Sequence, residues 1–165
     1  IVFQALNPDS DLASFAADIA IIAYSGFAVT ESLLAAGLTT EKSAQLASNI
    51  LAMADALASK GCHVIVQTLP DSPVSVFGGL DARSDITPRS GIAAVNEAIT
   101  RSRYDILDAP SLAARVGLSL WYRPDHYFWH KAPFNMEAAQ LYCDLLAQTV
   151  GAAVSTLRGR QDRLS

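Results

Sequence analysis

The sequence predicts an α/β domain of three layers: a mostly parallel, flavodoxin-like sheet with helices on both faces. About half of its 165 residues are apolar and only 17% are charged, with alanine frequent, which suits close-packed helices on a buried sheet. Two continuous apolar runs, Asp18 to Tyr24 and Cys62 to Thr68, have the length and branching of strands covered on both faces. Helical periodicity lies between and after them. Strands alternating with helices imply parallel pairing and right-handed crossovers. The length suits one domain, read as residues 1–157, with an arginine-rich tail or linker over 158–165.

The elements follow in order. Ile1 to Gln4 reads as a short strand, and the turn residues Asn7 to Ser10 lead into a short helix ending near Phe15. Asp18 to Tyr24 reads as a central strand closed by Ser25 and Gly26. Thr40 is a good N-cap for a helix through Lys60, with Ala47, Ile50, Leu51, Ala54, Leu57 and Ala58 on one face and Gly61 as its stop. Cys62 to Thr68 follows at once as a second buried strand. Pro70, Pro73, Pro88 and the pair Gly78 and Gly79 mark Leu69 to Ser90 as a long irregular loop. A helix from about Gly91 to Arg103, a strand over Tyr104 to Leu107 and a small helix over Ser111 to Val116 come next. The last helix, Asn135 to Leu157, carries the stripe Ala139, Tyr142, Cys143, Leu146, Val150, Ala153 and Leu157.

A formal charge of −4 leaves no basic field for a phosphate backbone, so a nucleic-acid partner is not expected. No apolar run is long enough to span a membrane, and the first residues lack the basic start of a signal peptide. Cys62 and Cys143 read as buried small hydrophobes rather than a disulfide, which sets a reducing, cytoplasmic compartment as the expectation. The chain holds no phosphate-binding P-loop, no G-x-G-x-x-G turn and no G-x-S-x-G elbow, so neither a nucleotide cofactor nor that nucleophile turn is expected.

In a parallel sheet, ligands bind at the carboxyl ends of the strands. That nominates Ser25, Gly26 and Phe27, the Leu69 to Ser90 loop, and the turn after Asp108. The richest segment is Trp121 to Lys131, which holds both tryptophans, two tyrosines, Asp125, His126 and His130. A histidine acting as general base needs an acceptor to orient it, and Asp125 can serve His130. His126 and Trp129 are candidate substrate contacts, as are Ser25 and Gly26. The competing reading of the segment is an aromatic lid. His63 reads as a structural histidine with a satisfied hydrogen bond. A metal site needs three or four converging ligands, and only Asp125, His126 and His130 cluster, so no metal is expected. Asp105 and Asp108 bracket a short strand, and one or both can cap the helix that follows.

The order of these pieces resembles the later part of an SGNH (GDSL-type) hydrolase domain. The resemblance rests on Ala17 to Gly26, Gly61 to Pro70, Asn96, Tyr104 to Asp108, the Asp/His loop and the terminal helix. The combination of Leu120 to Asp125, Trp129 to Phe134 and Leu157 to Arg160 is similar to the amino-terminal SGNH-like domain of FkbH-like proteins. In those proteins a haloacid-dehalogenase-type domain follows and helps load a glyceryl unit onto an acyl carrier protein. The resemblance implies a domain that binds or acts on an acyl or ester group, with His130 as base and Asp125 as its orienter. It also implies that the first strand and nucleophile turn precede Ile1. The alternative is a non-catalytic module that docks a carrier protein or a partner catalytic domain.

Overall fold

A computed structural model describes residues 17–123 and 134–161. Its strands are β1 (Ile19–Ile22), β2 (His63–Gln67) and β3 (Asp105–Leu107), all parallel and in the order β1-β2-β3. The helices are α1 (Gly26–Ala35), α2 (Thr40–Ser59), α3 (Pro88–Thr100), α4 (Ala109–Val116), the single turn α5 (Leu118–Trp121) and the long α6 (Ala139–Gln161). Short 3-10 turns occupy Gly78–Arg83 and Met136–Ala138.

The register explains the layers. Ala20 and Ile22 pair beside Val64 and Val66, and alternation sends this set to one face and Ile65 and Leu107 to the other. The first face carries the main core, in which Val29, Leu33, Ile50, Met53, Ile92, Val95 and Ile99 from α1, α2 and α3 pack on Ile22, Val64 and Val66. Gly91 lets these helices close up, because a Cβ there would come within 2.9 Å of both Leu33 Cδ1 and Ser43 Oγ. On the second face α6 lays Tyr142, Leu145, Leu146, Val150 and Ala153 against Ile65 and Leu107. The three-layer α/β architecture expected from the sequence is therefore the one observed.

Several boundaries move for local reasons. Thr39, not Thr40, caps α2, accepting the Lys42 amide at 3.3 Å. Helix α3 begins at Pro88 rather than near Gly91, because Thr87 and Ser90 form a reciprocal capping box and proline suits the first turn. Helix α1 was missed, because its apolar residues form no clear stripe and Gly26, its first residue, reads as the close of the preceding strand. Among the described strands β1 is an edge rather than a centre, and Ile21 on the α6 side is 40% exposed. Cys143 faces outward on α6 and Cys62 is half-buried, so the expectation that both are buried fails. The α6 stripe turns Tyr142 and Leu146 inward and leaves Cys143 on its outer flank. Helix α6 continues through Gln161, into the stretch read as a tail. The expected strand at Ile1 and the short helix ending near Phe15 lie outside the described residues. No helix among the described residues is long and apolar enough to cross a membrane.

Candidate functional site

The carboxyl ends of β1 and β2 meet the aromatic residues around α5 and the start of α6. Beyond β1 the chain passes through Tyr24 and Ser25 into α1, with extended backbone at Ser25 as the N-cap position requires. The Ser25 side chain does not cap the helix. Gly26 is the first helical residue, and a Cβ there would overlap the Tyr122 hydroxyl. Glycine is thus required so that Tyr122 can lie directly on the start of α1. Tyr122 is held in that place by its hydroxyl, which donates to the Pro70 carbonyl at 3.2 Å, and by an edge-on contact with Phe27 at 5.0 Å. Burial, helped by the Asp71 charge, pushes the Tyr122 phenol far above its ordinary pKa, so it acts as a neutral donor.

Behind this roof runs a polar chain. Gln67, at the end of β2, donates to the Tyr24 carbonyl at 3.1 Å and accepts from the Tyr142 hydroxyl at 2.6 Å, tying β1 to α6 through β2. One residue past Thr68, Asn96 of α3 clamps the Leu69 backbone, donating to its carbonyl and accepting from its amide, both at 2.7 Å. The loop that leaves Leu69 is fastened by the Arg89/Asp71 ion pair at 2.9 Å and by a Thr30/Ser72 hydroxyl contact. Trp121, Phe134 and Tyr142 stack at 4.5 to 6.5 Å between ring centres and wall the other side. Asn135 sits in that wall, 1% exposed, with its amide N–H on the Trp121 carbonyl at 2.9 Å.

Two atoms break the pattern of satisfied polar groups. Ser25 Oγ and Asn135 Nδ2 are buried and have no hydrogen-bond partner among the described residues. Leaving such a group dry costs about 1–3 kcal/mol, and native structures rarely tolerate it without a reason. Serine becomes a nucleophile when a base accepts its proton. Ser25 Oγ has no such contact among the described residues.

Of the residues nominated from sequence, Ser25 and Gly26 are brought to this edge, while Asp125, His126, Trp129 and His130 lie outside the described residues. His63 and Asp105 are at the opposite, amino end, joined at 2.7 Å across β2 and β3, which accounts for His63 as a structural histidine. Asp108 caps α4 by accepting the Ser111 amide, whereas Asp105 does not cap. Sequence reasoning missed Tyr122, Gln67, Asn135 and Tyr142. Tyr122 gave a signal as a member of the aromatic segment, and Tyr142 as a member of the last helix's apolar stripe. Among the described residues no group of three or more His, Cys, Asp or Glu side chains could hold a metal ion.

No family model matches the chain, and no curated protein does either. Among solved structures the fold is similar to a crystal structure of the N-terminal part of the protein BF1531 from Bacteroides fragilis, described as containing a phosphatase domain and complexed with Mg. The TM-score is 0.60 at 18% identity, over 76% of this chain and 34% of that one. This chain therefore spans about a third of the length of the one it matches.

The comparison corrects the family expected from sequence. The SGNH resemblance is supported by no family model, and the structural likeness leads to a chain described by a phosphatase domain instead. The strand motifs behind it, Ala17 to Gly26 and Gly61 to Pro70, are apolar runs of a kind that any parallel α/β sheet produces at its carboxyl edge.

Proposed function

We propose that this chain is a positioning module that holds an oxygen-bearing acyl or ester group at the carboxyl edge of its sheet for a partner catalytic domain. One observation carries the reading: the buried, unpaired Ser25 Oγ and Asn135 Nδ2, on elements joined through Tyr122 and Trp121. A hydroxyl and an amide N–H are donors, and a carbonyl, ester or carboxylate oxygen would satisfy them. Dry donors preset for a ligand lower the cost of ordering the site when the ligand arrives. Support for a partner comes from the structural neighbour, the N-terminal part of a longer protein that contains a phosphatase domain. That suits the carrier-protein role of FkbH-like proteins, in which the group handled is delivered to an acyl carrier protein. His130, Asp125, His126 and Trp129 are the further side chains proposed to contact that group.

Calorimetric titration of the protein with acyl-loaded carrier protein, and separately with phosphoglycerate, tests this. Ser25→Ala and Asn135→Leu are expected to weaken binding of the effective probe by roughly tenfold, about 1.4 kcal/mol. Ser25→Ala should not lower the melting temperature, whereas Asn135→Leu should, because it also removes the acceptor of the Glu137 amide. If neither probe binds the unaltered protein, or if both variants bind as it does, the reading is wrong.

A further inference from the structure

The Pro70 to Thr87 loop is well built and yet apolar on its outside. Its carboxylate Asp81 accepts the Val76 and Phe77 amides at 3.1 and 2.8 Å, Ser72 Oγ accepts the Val74 amide, and Thr87 and Ser90 close its far end in a capping box. So many internal hydrogen bonds describe a fixed surface rather than a floppy connection. That surface displays Val74, Val76, Phe77, Leu80 and Ile86 at 38–65% exposure. Five large apolar side chains grouped on one ordered loop mark an interaction surface, because isolated monomers seldom leave such a patch wet.

We infer that the occupant is a second copy of this chain, related by a two-fold axis through the loop. The charges choose between a self-partner and a strongly charged one. Asp81 is spent on the loop's own amides, and Asp71 is paired with Arg89. Arg83 and Asp85 remain, both exposed and neither in an ion pair among the described residues. They lie between Leu80 and Ile86, have opposite sign, and cancel. A neutral apolar patch flanked by one plus and one minus charge is self-complementary: a two-fold axis sets Arg83 of each copy toward Asp85 of the other. A basic or acidic partner would instead be met by a patch of a single sign. This inference stands apart from the proposed ligand site, which needs no second copy.

Sedimentation equilibrium on the unaltered chain tests it. Concentration-dependent dimerisation is expected. Phe77→Asp together with Leu80→Asp should weaken it by at least roughly a hundredfold, since each copy then buries two charges in the centre of the interface. The charge swap is the sharper test. Arg83→Asp alone and Asp85→Arg alone each face like charges across the axis and should weaken self-association by roughly threefold or more. An equimolar mixture of the two variants restores both opposite-charge pairs and should regain the original affinity. All these residues are exposed, so circular dichroism melts at concentrations below the dimerisation range are expected to be unchanged. A chain that stays monomeric at high concentration overturns the proposal, including the case where the loop docks some other protein. So does a dimer indifferent to the apolar double variant, or one that the mixed variants fail to restore.

Discussion

At the amino end of the sheet His63 and Asp105 join neighbouring strands at 2.7 Å and stand partly in water. At the carboxyl end Ser25 and Asn135 are dry and unpaired beneath Tyr122 and Trp121. Both ends belong to the same strands, so composition alone does not explain the contrast. What differs is how much each end depends on its surroundings. The amino-end pair satisfies itself. The carboxyl end buries polar atoms that it does not satisfy, and it does so in a scaffold of aromatic rings and a bridging glutamine that holds them still. Uncompensated donors in a rigid setting are the feature on which the proposed ligand site rests.

The contrast breaks most severely if the aromatic wall is removed. Trp121 is 2% exposed and packs with Tyr122, Leu112 and Ala113 in a cluster separate from the main core. Trp121→Ala should cost about 3–5 kcal/mol of unfolding free energy in a denaturant titration. Gly26→Ala comes next, at about 1–3 kcal/mol, because its methyl group meets the Tyr122 ring. In a Tyr122→Phe background the same change should cost less, since the hydroxyl that obstructs it is gone. Equal costs in the two backgrounds would show that Tyr122 does not sit on the helix start.

Ser25→Ala sharpens the comparison further. Removing a buried hydroxyl that makes no hydrogen bond relieves a desolvation penalty, so stability should hold or rise by about 1 kcal/mol. A loss beyond about 1 kcal/mol in chemical denaturation would mean that the hydroxyl is already satisfied and that no dry donor waits there.

Much of the layered fold was legible in the sequence, because apolar runs of strand length and one strong helical period are local signals. Ile65 and Val66 could be assigned to a buried strand from their neighbours alone, and Thr87 with Pro88 marks a helix start once capping is considered. The site was legible only in outline. The rule that ligands meet strand ends led to Ser25 and Gly26, but the roof over them depends on Tyr122 returning from far along the chain to rest where Gly26 has no side chain. Gln67 and Asn135 gave no sign at all, since a buried amide that bridges elements looks in sequence like any polar residue. The edge position of β1 among the described strands was equally invisible: Ile19 to Ile22 is composed like a strand with neighbours on both sides. The SGNH resemblance failed for a related reason, since its strand motifs, Ala17 to Gly26 and Gly61 to Pro70, are common to parallel sheets in general.

The smallest expected effect lies at the amino end, and it decides what kind of bond the His63/Asp105 pair is. The Asp105 side chain is 52% exposed and the His63 side chain 14%, so water already screens the carboxylate while the imidazole depends on its partner. Were the pair held by charge, Asp105→Asn and Asp105→Ala would cost the same, because both remove it. Held instead by a hydrogen bond, Asn keeps a group that can meet the ring nitrogen, and Ala leaves that nitrogen half-buried and unpaired. We expect the second pattern, with Asn costing less than about 0.5 kcal/mol and Ala about 1 kcal/mol in paired thermal melts. Equal losses would reassign the amino end as an electrostatic clamp, and the two ends of the sheet would then differ in the nature of their polar contacts as well as in whether those contacts are complete.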